Sequence, residues 1–232
     1  MAREAHKGLL SNARMDMKTI AQIYEEYKIM PNLQLHQLRV AAVAKVIGES
    51  LETKIDLKSV IAACLLHDMG NILKFDLTKF PEFTHEHGLS HWEKVKSDFK
   101  SHYGDEEHIA TYTIARELQA SQATMACLKA VGFSQAVKQC QSKCLEHKLC
   151  CYADQRVGPD GILSLKERIE EAHRRKASTL AVFDETVTAL KKIEEQIFAV
   201  STINPQDVKA LVTNELVLEL KNYPINDTDH TG

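Results

Sequence analysis

The sequence predicts an all-α protein, on three observations. Apolar residues recur at steps of three and four through several long segments, the spacing of one face of a helix. No stretch alternates polar and apolar residues for long enough to form a strand. Proline, glycine and short polar residues fall between the periodic segments, where helices start and stop.

Residues before about Asp16 form a polar lead-in. Residues 17–30 carry Ile20, Ile23, Tyr24 and Tyr27 at helical spacing, and Pro31 is expected to close that helix near Met30. The next helix, residues 33–52, shows His36, Val40, Val43 and Ile47 at steps of four, three and four. His36 therefore lies along the apolar face, where a lone histidine is ordinarily a hydrogen-bonded core residue. Asp56 suits the N-cap of a helix over residues 57–67, and apolar residues all round that helix predict a place in the core. Gly70 is expected to end it in the left-handed conformation that glycine tolerates.

Residues 74–91 read as irregular, with Pro81 and the cluster His85, His87 and His91. That cluster is either a solvated loop or a loop over an active site. A helix is expected over residues 92–102. Asp105 is expected to cap another running through His108, Ala110, Ile114, Ala115 and Leu118. Residues 123–131 make a further helix, and Ser134 is expected to cap a longer one reaching about Tyr152. Gly158-Pro159-Asp160-Gly161 is a strong turn signal. Ser164 should cap a long helix toward Ala199, with apolar positions at Leu165, Ile169, Ala172, Leu180, Phe183, Val187, Leu190 and Ile197. That stripe docks on the core or pairs with a second copy in a homodimer, and docking is the preferred reading. Asn204-Pro205 opens a last helix, and the tail from Asn226 is polar.

Composition narrows the function classes. Hydrophobic residues are 44% and charged residues 26% of 232, the balance of an ordinary globular protein. A net charge of −3 gives no support for general nucleic-acid binding or attachment to a membrane surface. No apolar run approaches the roughly 20 residues that a membrane span needs. Charge at the N-terminus has no apolar segment behind it, so a cytoplasmic address is the default expectation. Cys140, Cys144, Cys150 and Cys151, with His147 between, invite a zinc site. One straight helix would spread Cys140 to Cys151 over about 16 Å at roughly 1.5 Å per residue, against zinc–sulfur bonds of about 2.3 Å, so reduced, semi-buried thiols are the better expectation.

Four donor residues remain. His36 lies on an apolar helix face, and His67-Asp68 closes the buried helix. Asp154 follows the apolar lead of Leu149, Cys150 and Ala153. A carboxylate carried into the core without a partner is costly, and nitrogen and oxygen donors of this kind suit a first-row divalent metal. The segments around them are His36-Gln-Leu-Arg39-Val-Ala, Leu65-Leu66-His67-Asp68-Met-Gly70-Asn71 and Tyr152-Ala-Asp154-Gln-Arg156-Val. In this order and setting they resemble the H…HD…D signature of the HD-domain superfamily of metal-dependent phosphohydrolases.

The resemblance implies an HD-domain helical bundle with appended C-terminal helices. Residues 17–160 would be the metal-binding domain, and residues 161–225 an extension packed on it rather than an independent domain. It implies His36, His67, Asp68 and Asp154 as metal ligands, with Asp68 also orienting the attacking water or taking its proton. The ion would be Mn, Co, Mg, Zn, Ni or Fe. Arg39, Lys74 and Arg156 would hold phosphate, a task for which the guanidinium fork is suited, although each is ordinarily a surface charge. His108 stands where two-metal members carry a further ligand. No second histidine follows near residues 129–133, so one ion is expected and His108 is expected to act on the substrate or beside the metal. Asn71 replaces an acidic residue found in some nucleotidase members.

The implied activity is hydrolysis of a small phosphoester, most plausibly of a nucleotide. A non-hydrolytic nucleotide-binding regulatory module that keeps the metal site is the alternative. A di-iron oxygenase of the HD type, or a purely structural helical protein, fits less well.

Overall fold

The computed structural model describes residues 18–79, 81–175 and 180–225. Three helices form the centre. They are α2 (Pro31–Glu49), α3 (Leu57–Leu66) and α9 (Leu145–Asp154), each in contact with the other two. Val40 to Ala44 and Ile47 of α2, Ala63 to Leu66 of α3 and Leu149 to Ala153 of α9 are sealed from solvent. Around them lie α1 (Ile20–Glu26), α5 (Leu89–Tyr103), α6 (Glu107–Glu117), α7 (Gln122–Leu128) and α8 (Ala136–Gln141), with the one-turn α4 (Pro81–Thr84) before α5. The only strands among the described residues are β1 (Val157–Gly158) and β2 (Gly161–Ile162), an antiparallel pair across the expected turn. The all-α reading holds.

Helix starts follow the expected chemistry. Asp56 accepts the Ser59 N–H at 3.1 Å and Ser121 accepts that of Thr124 at 3.0 Å. Thr19 and Gln22 form a reciprocal capping box on α1. Ser164 and Glu167 do the same at α10 (Leu165–Arg175), which is followed by α11 (Leu180–Phe198). Whether these two are one helix lies outside the described residues. Leu190, Ile193 and Ile197 of α11 enter the same core as α2 and α9, so that part of the apolar stripe docks within the chain. The chain closes through α12 (Val208–Leu211) and α13 (Asn214–Glu219) and returns to its start, where the Ile20 N–H donates to the Tyr223 carbonyl at 2.9 Å. No described helix is long and apolar enough to cross a membrane. The polar lead-in and the tail from Asn226 lie outside the described residues.

Several starts and stops differ from expectation, each for a visible reason. Pro31 opens α2 as its first residue instead of merely closing α1. Asp105 does not cap α6. Its carboxylate pairs with Lys100 at 2.6 Å, and Glu106 stands at the cap position. The helix expected from Ser134 to Tyr152 is broken after Gln141, where Ser142 turns extended and its hydroxyl accepts the Cys144 N–H at 3.0 Å. Asn204 is not a cap, because its own N–H donates to Asp207 Oδ2 at 2.8 Å and α12 begins only at Val208.

Gly70 is the most instructive difference. Its φ of −92° is right-handed, so conformational freedom does not explain the glycine. A Cβ there would collide with the Glu107 carbonyl oxygen and lie 2.8 Å from the Ala110 Cβ. Gly70 lets α6 press directly on the turn that follows α3. Replacing Gly70 by Ala is expected to destabilise the fold by about 1–3 kcal/mol, since the obstacle includes backbone that has to move. Thermal unfolding followed by circular dichroism checks this, and an unchanged midpoint refutes it.

Candidate metal centre

The site is built where α3 stops. The last carbonyls of a helix have no partner within it, and here side chains supply them. The His67 Nδ1–H donates to the Cys64 carbonyl at 2.8 Å, and the Tyr24 hydroxyl donates to the Leu65 carbonyl at 2.7 Å. Two backbone donors beyond the helix end are caught in turn. The Asp68 N–H goes to Gln37 Oε1 at 3.0 Å, and the Gly70 N–H to Thr111 Oγ1 at 2.9 Å. His67 and Asp68 are thereby fixed before any ligand is considered.

With Nδ1 committed as a donor, neutral His67 presents a bare Nε2 lone pair. That atom lies 3.3 Å from His36 Nε2 of α2, 3.7 Å from Asp68 Oδ2 and 3.5 Å from Asp154 Oδ1 of α9. His36 Nε2 is 3.3 Å from Asp154 Oδ1 and 3.8 Å from Asp68 Oδ2. His36, His67 and Asp68 each offer an atom within 4.8 Å of the others. Asp154 is outside that mutual set, yet one of its oxygens adjoins both imidazoles. Donors about 2.0–2.1 Å from a tetrahedral ion stand roughly 3.4 Å from one another, close to these separations. His36, His67 and Asp68 fit a divalent first-row metal in spacing and in chemistry, and Asp154 adds a carboxylate beside both imidazoles.

Supporting groups hold the carboxylates. Asn71 Nδ2 donates to Asp68 Oδ2 at 2.9 Å, and Gln155 Nε2 donates to Asp154 Oδ2 at 2.6 Å. Burial works against a charged His67, but Asp68 and Asp154 outweigh it and push the imidazole up to about 10. Burial likewise raises Asp154, while hydrogen bonds and charge from His36 and His67 prevail and hold it well below the usual carboxylate range. Two carboxylates around two imidazoles therefore demand a cation, either a proton or a metal ion.

The pocket above these residues encloses about 240 Å³, and both Asn32 and Arg168 stand in its wall beside Arg39, Asn71, Phe75 and Phe83. Arg39 lines the pocket and makes no ion pair or hydrogen bond with the described residues. Among the described residues three buried side-chain polar atoms lack a partner: Asn32 Oδ1, Gln37 Nε2 and Arg168 Nε. Each such atom costs about 1–3 kcal/mol. Asn32 and Arg168 line the pocket itself, and Gln37 holds Asp68.

Three expected site residues are elsewhere. Arg156 is 1% exposed, and each of its nitrogens is taken, Nε by the Leu163 carbonyl at 2.5 Å, Nη1 by the Tyr152 hydroxyl at 2.6 Å and Nη2 by the Pro205 carbonyl at 3.0 Å. It clamps the β1–β2 turn to the C-terminal segment and is not a phosphate arm. Lys74 is an exposed side chain 3.4 Å from Glu107, outside the pocket wall. His108 is exposed as well, beside Glu107 at 3.9 Å and stacked on Tyr112, and is not among the residues that line the pocket. His87 and His91 pack against Trp92 at the surface, while the same loop region sends Phe75 and Phe83 into the pocket.

All six cysteines are free thiols. Cys150 is buried against the thiols of Cys64 and Cys127, contacts that push its own thiol up. Cys151 Sγ donates to the Gly132 carbonyl and Cys144 Sγ to Glu146.

Sequence reasoning missed Asn32, Gln37, Phe75, Phe83, Gln155 and Arg168. A buried amide directly after His36 was the one signal available for Gln37.

The HD domain family matches residues 34–156, more than half of the chain. No curated protein and no solved structure matches. The chain belongs to the HD domain family.

Ligation requires neutral His67, so an ion entering at neutral pH displaces a proton. Metal titrated into the metal-free protein by calorimetry, in two buffers of different ionisation enthalpy, is expected to show release of about one proton per ion between pH 7 and 9. Release should fade as pH rises through about 10. Equal heats in both buffers refute this.

Proposed function

We propose that the chain is a metal-dependent phosphohydrolase acting on a small phosphoester, most plausibly of a nucleotide, with one divalent ion per chain. The carrying observation is that the Nε2 atoms of His36 and His67 lie 3.3 Å apart and each stands 3.3–3.8 Å from an oxygen of Asp68 and of Asp154, beneath a pocket lined by Arg39. Membership of the HD domain family supports the same chemistry.

His36, His67, Asp68 and Asp154 would hold the ion. When bound, such an ion makes a water acidic enough to be a nucleophile at neutral pH and polarises a phosphoryl oxygen. Asp68 sits at the pocket floor with Oδ2 held by Asn71, which leaves Oδ1 to orient the water and accept its proton. Asn71 thus does a positioning task, one that an acidic residue at the same place would oppose by repulsion. Arg39 lies one turn after His36 on α2 and is placed to bind the non-bridging oxygens, where its fork matches phosphate geometry. The exposed position of His108 supports a one-metal site and weighs against the di-iron reading.

Assay of generic phosphate esters with Mn²⁺, Co²⁺ or Mg²⁺ tests this. His67→Ala and Asp68→Ala are each expected to lower kcat/KM by about 10²-fold or more. Absence of turnover with every metal sinks the proposal, as does turnover that survives both substitutions. Tight nucleotide binding without turnover would install the regulatory-module reading instead.

Arg39→Met separates binding from folding. Loss of a charged hydrogen bond predicts a fall of roughly 10- to 100-fold in kcat/KM with an unchanged melting temperature. Arg156→Met is expected to do the reverse, lowering the melting temperature by several degrees through three abandoned hydrogen bonds.

A further inference from the structure

Both carboxylates of the centre stand at helix C-termini. Asp154 is the last residue of α9, and Asp68 directly follows His67, the C-cap of α3. The open carbonyls of a helix end carry partial negative charge, which disfavours a carboxylate beside them. Each carboxylate is met by one amide, which can orient it without cancelling its charge. Asn71 Nδ2 donates to Asp68 Oδ2 at 2.9 Å, and Gln155 Nε2 donates to Asp154 Oδ2 at 2.6 Å.

The two amides do not do the same thing. On Asp68, amide and imidazoles meet one oxygen, because Oδ2 is also the atom 3.7 Å from His67 Nε2 and 3.8 Å from His36 Nε2. On Asp154 they meet opposite oxygens. Oδ2 is tied back to Gln155, while Oδ1 lies 3.3 Å from His36 Nε2 and 3.5 Å from His67 Nε2. Gln155 is the C-cap of α9 and is only 3% exposed, so bulk water competes little for its hydrogen bond. No other described residue donates to Asp154 Oδ2.

We propose that Gln155 is a positioning residue for the metal. By holding Oδ2 it sets Asp154 as a ligand through Oδ1 alone and stops the carboxylate from swinging away from the imidazoles. It acts through Asp154 and touches neither the ion nor the substrate. The inference rests on the metal centre of the phosphohydrolase reading, but on no step of the reaction.

The test titrates Mn²⁺ into the metal-free full chain by calorimetry, with four proteins compared: wild type, Gln155→Met, Asp154→Ala and the double variant. Methionine keeps the length of the side chain and removes the donor. Gln155→Met is expected to raise the Kd for Mn²⁺ about 10- to 100-fold. In the Asp154→Ala background the same substitution should change Kd by less than about twofold, since the group it acts through is gone. A merely structural role would weaken binding equally in both backgrounds. Gln155→Asn keeps the amide but shortens its reach, and should weaken binding in the same direction. It takes the place of Gln155→Met if circular dichroism shows that variant unfolded.

An unchanged Kd in the single variant overturns the inference, as does an equal loss in both backgrounds. Neither result bears on turnover, so the hydrolytic reading stands or falls by its own assay. The expected pattern of Kd values without turnover of any ester upholds the inference and sinks the hydrolytic reading.

Discussion

The hydrogen bond from His67 Nδ1 to the Cys64 carbonyl is the constraint on which the centre depends. It satisfies a carbonyl that α3 leaves open, and it fixes the imidazole tautomer in the same stroke. A structural need at a helix end and a chemical need at a metal site are met by one contact. The neighbouring contacts repeat the pattern. Tyr24 closes the next carbonyl, Gln37 takes the Asp68 N–H and Thr111 takes that of Gly70. The site is thus rigid because the end of a buried helix must be satisfied, and α1, α2 and α6 each supply one of the groups that do it.

Charge explains why the remaining residues stand where they do. Asp68 and Asp154 crowd His36 and His67, and the balance of the four favours a bound cation. The nearby arginines divide the other tasks by how far each is already committed. Arg156 has an acceptor for every nitrogen and holds the turn after α9. Arg168 is half-committed, with Glu171 on Nη1 and nothing on Nε. Arg39, in the pocket wall, has no ion pair or hydrogen bond among the described residues. Commitment, rather than proximity in sequence to the ligands, separates the structural arginine from those that can meet a ligand.

Much of this was legible in the sequence because its causes are local. Caps at Asp56 and Ser164 involve residues three apart, and the all-α class follows from period alone. His67-Asp68 could be read because adjacent donors at the end of an apolar run are costly. What escaped depends on tertiary contact. Gly70 is small for the sake of Glu107, thirty-seven positions later, and no local rule distinguishes that from a left-handed turn. Arg156 looked like a phosphate arm because it follows the last ligand by two residues, and only the fold reveals that Leu163 and Pro205 claim it. In the loop before α5 the histidines drew attention as chemical groups, while the phenylalanines reached the pocket. An aromatic residue in a loop gives no sign of which surface it will cover.

The limits of the family match carry a further meaning. Residues 34–156 contain all four ligand candidates, Arg39 and the amides that hold Asp68 and Asp154. They do not contain Asn32, Gly158, Pro159 or Arg168, which close the pocket from outside that stretch. Chemistry common to a family needs the ligands and little else, whereas discrimination among esters needs contacts to the part of the substrate that does not react. The first turn of α2 and α10 each supply part of the pocket wall from outside the matched stretch.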